Sequence, residues 1–441
     1  MFDQKQRNSY DTVIIGAGLA GLIAANYLAD DGLKVLILEK SANVGGRAMT
    51  IERKGCQFNL GPHGLYIKGE GFKCLNELNI SLQGNAASIN GIVTTSKKMF
   101  KAPFSPYSLL TSSLLSFKEK LEFVRIMSEV SRVDLKLVKE QTFTEWVDKR
   151  VTSKIVKQLI YTLTRLATYC ASPHLLSAKA VLRQLLISQG GVKYINEGWG
   201  TIIQQLNEQA TLKGVTILTR QNIASIHGEY PTFHVGLSNG DSVLTRTIIC
   251  TASPSETGRL FKQYATPTLD SMLKASIPVK GAALDLALKR LPRPNLHFAM
   301  DLEQPLYYSN HSNAAHLSKN KAHQVIHAFR YFTNEEEKID SATIKNELEW
   351  YIDRIQPGWK KEVVTSRFLP TLTVYQRVPQ PRQDQFFSNS FHVRGLFVAG
   401  DWISPTSILA DGSISSAKQA AMQIINEEDS LGVIKKRVSR I

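Results

Sequence analysis

Three glycines and one carboxylate carry the first chemistry legible in this chain: Gly16, Gly18 and Gly21, spaced GxGxxG, and Glu39. Gly16 permits a tight strand-to-helix turn, Gly18 removes the Cβ that would hold the backbone off a pyrophosphate, and Gly21 lets a helix pack closely on a strand. Leu19 and Ala20 fall in the first turn of that helix, whose unpaired N–H groups face the anion. Glu39, roughly twenty residues on, can accept hydrogen bonds from ribose hydroxyls, and its charge disfavours the 2′-phosphate of NADP. Lys40 follows it. The pattern predicts a dinucleotide site and leaves NAD and FAD both open.

These residues need a particular scaffold, and the flanking sequence supplies it. Thr12 to Ile15 is a short apolar run rich in β-branched residues, as in a strand buried on both faces. Leu19, Leu22, Ile23, Asn26 and Tyr27 recur at helical spacing, and Asp30-Asp31-Gly32 is a turn before a second apolar run, Lys34 to Leu38. Strand, helix and strand make one βαβ unit.

Two further stretches bear on the cofactor. SANVGGRA places Gly45 and Gly46 before Arg47, and GLFVAGDWISPTSILADGSISSAKQAA runs from Gly395 to Ala421. On these the chain resembles the FAD-dependent amine oxidases, phytoene desaturases and protoporphyrinogen oxidases. The resemblance implies FAD. It implies that the Gly45 and Gly46 backbone lies along the cofactor and that Arg47 faces the pyrophosphate or the flavin. It also implies that Asp401, after Gly400, hydrogen-bonds the ribityl chain, and that a helix opening near Gly412 and Ser413 points its N-terminus at the isoalloxazine. Such a terminus stabilises the negative charge of a reduced flavin.

By the same resemblance NLGPHGLY, Asn59 to Tyr66, passes the flavin ring, placing Gly61, Pro62 and His63 at the cofactor, with His63 as the candidate polar group of the cavity. YINEGWGTIIQQL matches a segment that re-enters the FAD domain, although Glu197 stands where a glycine is usual, and Ile223 matches an apolar residue whose backbone meets the adenine. Lys280, in SIPVKGAALDLAL, falls where amine oxidases use a lysine to hold a water near flavin N5. Leu409 occupies the place of an aromatic common in those enzymes, a departure that favours an apolar substrate and carbon–carbon desaturation.

The expected fold class is therefore α/β: a Rossmann-type FAD-binding domain of the GR2-like kind, with a discontinuous α+β substrate domain. The FAD-binding segments are 1–95, 192–260 and 385–430; the substrate domain is 96–191, helical by pattern, and 261–384, strand-rich; a basic tail covers 431–441. Val215 to Pro254 reads as short strands with a hairpin turn at Asn239-Gly240.

Composition bounds the function. The 441 residues are 43% hydrophobic and 21% charged, ordinary for a globular protein. Cys56, Cys74, Cys170 and Cys250 show no CxxC and no metal-ligand spacing, which predicts a reducing cytoplasm and no metal site. The first ten residues are polar and predict no signal peptide, and no apolar run reaches the about eighteen residues of a membrane span. The net charge of +15 is spread along the chain except in the tail IKKRVSR, and no nucleic-acid module is present, so no nucleic-acid partner is expected. The charge and the apolar stretch Pro106 to Phe117 leave room for peripheral membrane contact; that stretch reads either as an interfacial entry element or as a helix of the second domain.

Three functions follow from the resemblance. The first is an FAD-dependent dehydrogenase or desaturase of a small hydrophobic substrate, with O₂, a quinone or another carrier as electron acceptor, since a single dinucleotide fingerprint provides no second pocket for NADPH. The second is a flavin amine oxidase. The third is a non-catalytic prenyl- or lipid-binding protein, as in the Rab GDP-dissociation inhibitors and escort proteins; Arg47 and Asp401 stand against it, because only a bound flavin requires them.

Overall fold

The computed structural model describes residues 9–334, 339–383 and 387–430. The tail expected at 431–441 lies outside the described residues.

The opening strand, Ser9–Ile15, is the centre of a seven-stranded sheet. Val35–Leu38 pairs parallel on one side of it and Ser242–Cys250 parallel on the other, and these are extended in parallel by Thr216–Leu218 and Leu396–Val398. Ile223–Glu229 and Thr232–Leu237 add an antiparallel margin, with the expected turn at Gly240, whose φ is +91°. Helix Leu19–Asp30 is buried almost all round because it lies between this sheet and two further helices, Gly200–Leu212 and Leu409–Ser430. Its Ala20, Ala24, Ala25 and Ala29 meet Ala417, Ala420 and Ala421 in one core, and small side chains on both helices allow the close approach.

The second sheet has the order Val363–Tyr375, Val279–Leu288, Gln324–Tyr331, Leu306–Asn310, Phe298–Asp301, Gly91–Thr94, Met99–Lys101. Gly91–Thr94 pairs with Phe298–Asp301, so the segment boundary expected at 95 falls inside this sheet rather than before it. Helix Ser341–Ile355 covers one face, packing on Ala282, Leu284, Leu286 and Leu288. Helices Phe117–Arg132, Lys154–Thr168 and Ala178–Ser188 pack on the other, against Val279, Ala283, Phe298 and Phe329. Both faces are covered, which is why GAALDLAL reads as a mostly apolar run, broken only by Asp285, rather than an alternation. The helix starts are cut sharply: Ser116 with Glu119, and Thr142 with Glu145, form reciprocal capping boxes.

The stretch Pro106 to Phe117 forms the short helix Pro106–Thr111 and the entry to the next one, with Tyr107, Leu110 and Phe117 all more than two-thirds exposed. Among the described residues no helix is long and apolar enough to cross a membrane.

Candidate functional site

One cavity of about 940 Å³ lies between the two sheets. Of the residues expected at a cofactor, Gly16, Gly18, Leu19, Ala20, Glu39, Lys40, Gly45, Gly46, Arg47, Pro62, His63, Ile223, Gly400, Asp401, Leu409 and Ser413 line it. Gly21, Gly61 and Gly412 do not. A Cβ on Gly21 would sit 2.0 Å from the Gly16 carbonyl oxygen, and one on Gly412 2.9 Å from that of Ser407, so both are packing glycines. Gly61 holds a φ of +86° in the turn before His63.

The dinucleotide end is built as its motif requires. Gly16 turns at φ +101°, and Thr251 donates its hydroxyl to Ile15 O at 2.8 Å beside it. The helix then begins at Gly18 with no side-chain cap, leaving its first amides available to an acceptor. A Cβ on Gly18 would meet nothing within 4 Å: the space in front of it belongs to the cavity. Glu39 is oriented by two backbone amides, Ala17 N to Oε2 at 2.8 Å and Ser41 N to Oε1 at 2.7 Å, and each oxygen keeps a lone pair for a hydroxyl. Ile223 presents less than expected, since its carbonyl already accepts from Arg259 at 2.9 Å.

Arg47 and Asp401 meet across the cavity wall, Nη1 to Oδ2 at 2.5 Å, and Arg47 also donates to Val374 O at 3.0 Å. Asp401 is 3% exposed and its second oxygen, Oδ1, has no partner among the described residues. A buried carboxylate oxygen on a cavity wall calls for a ligand hydroxyl. Beside it helix Leu409–Ser430 begins three residues earlier than expected and turns Leu409, Ala410 and Ser413 to the cavity; Leu409 itself has a φ of +57°. An open glycine cradle, an uncapped helix start, an oriented acid and this orphaned oxygen fit a dinucleotide with a polyhydroxyl link. As a prediction, Asp401→Ala weakens FAD binding to the apoprotein by roughly ten- to a hundredfold, the worth of one charged hydrogen bond. Titration followed by flavin fluorescence measures it, and an unchanged affinity would remove Asp401 from the site.

Asp411, in the first turn of the same helix, is buried and accepts from Gly71 N at 2.8 Å, with Oδ2 unpartnered among the described residues. Burial pushes its carboxyl up to about 6, against the Gly71 amide that favours the anion. The protonated form suits the fold, so this contribution to stability is complete below the ordinary carboxylate range and is lost as pH rises through about 6. Asp411→Asn is therefore expected to be more stable than the parent at about pH 8, on the order of 1–3 kcal/mol, with the gap closing below about pH 4. Urea denaturation at the two pH values checks both sign and window.

The two expected catalytic residues are placed differently from one another. His63 lines the cavity, but Nδ1 lies 3.0 Å from Gly61 O and Nε2 3.1 Å from Arg47 O, and the ring packs edge-on against Trp199. Burial holds its imidazole below the ordinary value despite the Gly61 carbonyl. A neutral imidazole carries one N–H, so His63 donates to only one of these two carbonyls, and its ring lines the cavity. Lys280 is exposed and does not line the cavity, because it sits at the open start of its strand, opposite Thr373. Glu197 is accounted for: it adopts a φ of +60°, the left-handed conformation in which a glycine is commoner.

Sequence reasoning missed the far part of the cavity. Tyr66, Leu163, Leu166, Tyr169, Leu185, Tyr194, Phe298, Tyr307 and Phe329 line it, drawn from the helical insertion, the second sheet and short loops. Apart from Tyr66, which ends NLGPHGLY, and Tyr194, which opens YINEGWGTIIQQL, no local motif marks them. It also missed a buried row on three neighbouring strands: Asp285 lies opposite His327 on one side and Arg367 on the other. His327 Nδ1 donates to Asp285 Oδ1 at 2.6 Å and Arg367 Nε to Oδ2 at 3.0 Å, and Arg367 reaches on to the carbonyls of Phe58 and Asn59. The row ties the second sheet to the loop that carries His63.

Comparison with known proteins agrees with this geometry. Residues 19–425 match the family model described as flavin containing amine oxidoreductase. A chloroplastic prolycopene isomerase of Daucus carota is 27% identical over 302 residues, 58% of this chain and 48% of the relative. The chain thus spans about half the length of the curated relatives it matches. Among solved structures, an oxidoreductase from Methanosarcina mazei superposes with a TM-score of 0.75 at 18% identity over 93% of this chain and 100% of the other. A cyclohexylamine oxidase from Brevibacterium oxydans gives 0.75 at 14% over 95% and 99%. At these identities the two structures speak for the fold alone.

Proposed function

The chain belongs to the flavin containing amine oxidoreductase family, and from that premise we propose that it is an FAD-dependent dehydrogenase or desaturase of a hydrophobic substrate. A flavin family on a dinucleotide cradle makes the cofactor FAD. The observation that carries the substrate class is the wall of the cavity. Its charged residues, Glu39, Lys40, Arg47, Glu256 and Asp401, all belong to the dinucleotide end, and no charged side chain among the described residues lines the remainder. An ammonium or carboxylate placed there would lose its hydration without a counter-ion, a cost of several kcal/mol or more. An apolar chain has no such cost and gains from contact with Leu163, Leu166, Leu185, Phe298 and Phe329.

The bound flavin supplies a two-electron acceptor. The protein's own part is to hold that acceptor through the Gly18 cradle, Glu39 and the Arg47–Asp401 pair, to orient the substrate chain against it, and to exclude water from the contact. The name of the prolycopene isomerase relative favours a hydrophobic substrate, and the exposed position of Lys280 gives no support to its role in an amine oxidase. The test is anaerobic mixing of the holoprotein with an acyclic polyene in detergent, against putrescine and L-leucine. Bleaching of the visible flavin band by the polyene alone supports the proposal; bleaching by the amines, with peroxide formed once air is admitted, overturns it.

Access from a membrane surface forms part of this reading. Tyr107, Leu110, Phe117 and Leu121 are exposed on consecutive helices beside Lys101, Lys118 and Lys120, a pattern suited to an anionic interface. Co-sedimentation with anionic but not zwitterionic vesicles is the expected result, and recovery of all the protein in the supernatant would refute it.

A further inference from the structure

Away from the dinucleotide end, the uncharged part of the cavity has a polar stretch. It is made by the turn His311–Asn313 and by His297, whose carbonyl accepts from Asn310 N at 2.7 Å and so holds the two segments together. All three side chains line the cavity, and each carries a buried atom without a partner among the described residues: His311 Nε2, Asn313 Oδ1 and His297 Nδ1. His311 is 2% exposed. Its ring is held from two sides, stacked on Tyr194 at 3.8 Å and tilted on His327 at 4.3 Å, and His327 is anchored by Asp285. It is a rigid group with a free nitrogen.

Three unpaired polar atoms on residues that line the cavity are costly unless a ligand uses them, at about 1–3 kcal/mol each. Asn313 Oδ1 is an acceptor and requires a donor; the imidazole nitrogens can serve as either partner. Burial, with His327 and His63 nearby, holds the His311 imidazole well below its ordinary value, so it is neutral near pH 7. Resting on the hydrophobic-substrate reading above, we infer that His297, His311 and Asn313 form a specificity site for a hydroxyl at the end of an otherwise apolar substrate. A hydroxyl donates to Asn313 Oδ1 while accepting from an imidazole N–H. A carboxylate has no proton to donate and finds no cation, an ether cannot donate, and a hydrocarbon leaves all three atoms unsatisfied.

The test uses the FAD-loaded protein and four probes sharing one chain: farnesol, farnesyl methyl ether, farnesoic acid and β-farnesene, with binding read from perturbation of the flavin spectrum. Farnesol is expected to bind about tenfold more tightly than the ether or the hydrocarbon, and the acid weakest. In His311→Leu and Asn313→Leu the alcohol should fall to the level of the hydrocarbon while β-farnesene binding holds or improves. A merely structural role for the two residues would lower all four probes together. Equal binding of alcohol and hydrocarbon by the parent overturns the hydroxyl site and leaves the hydrophobic reading standing. Binding of none of the four overturns both.

Discussion

Replacing Gly18 by valine is expected to give a folded protein that purifies without flavin. Gly18 has a φ of −77° and a ψ of −175°, extended backbone that valine adopts readily, and an added Cβ would meet nothing within 4 Å. The fold therefore loses little. The isopropyl group would fill the space where a pyrophosphate approaches the helix start, and FAD affinity should fall by about a hundredfold or more. Its neighbours in the motif must fail differently. Gly16 turns at φ +101° with Thr251 Oγ1 2.6 Å from its would-be Cβ, and a Cβ on Gly21 meets the Gly16 carbonyl oxygen at 2.0 Å. Alanine at either position should unfold the βαβ unit rather than empty it. Flavin absorbance per polypeptide, measured with a thermal melt, separates the two kinds of failure. A yellow Gly18→Val protein would sink the pyrophosphate assignment.

Asp285→Ala should be the most destabilising single change outside the glycines. It leaves the Arg367 guanidinium, 5% exposed, buried among carbonyls with no carboxylate, and His327 without the acceptor of its Nδ1. Breaking a buried pair from one side costs roughly 3–5 kcal/mol. Because Arg367 also holds the carbonyls of Phe58 and Asn59, the damage should extend to the loop through His63 and lower flavin retention as well. Urea denaturation of parent and variant gives the stability difference. A change below about 1 kcal/mol would mean that the row is not a charged unit.

Much of the cofactor end was legible in the sequence. GxGxxG, GGR and GD act through backbone conformation and the absence of Cβ atoms, properties of a few adjacent residues, and Glu39 follows from the length of one helix and one strand. The Rossmann strands were legible too, because burial on both faces leaves a plain apolar run. The second sheet showed the limit of the same signal. Val279–Leu288 is buried on both faces, so its sequence does not say which residues face the helices, and Asp285 in its middle carried no mark of its partners on two other strands.

What the sequence by itself determined, then, is the dinucleotide cradle and the class of fold around it, since local backbone rules decide both. Tertiary structure alone decided that Arg47 meets Asp401, residues 354 apart in the chain, that Lys280 faces solvent while His63 lines the cavity, and that His311 and Asn313 line it too. Each of those depends on the register in which distant strands pair, and register is set by packing over the whole molecule rather than by any stretch of neighbouring residues.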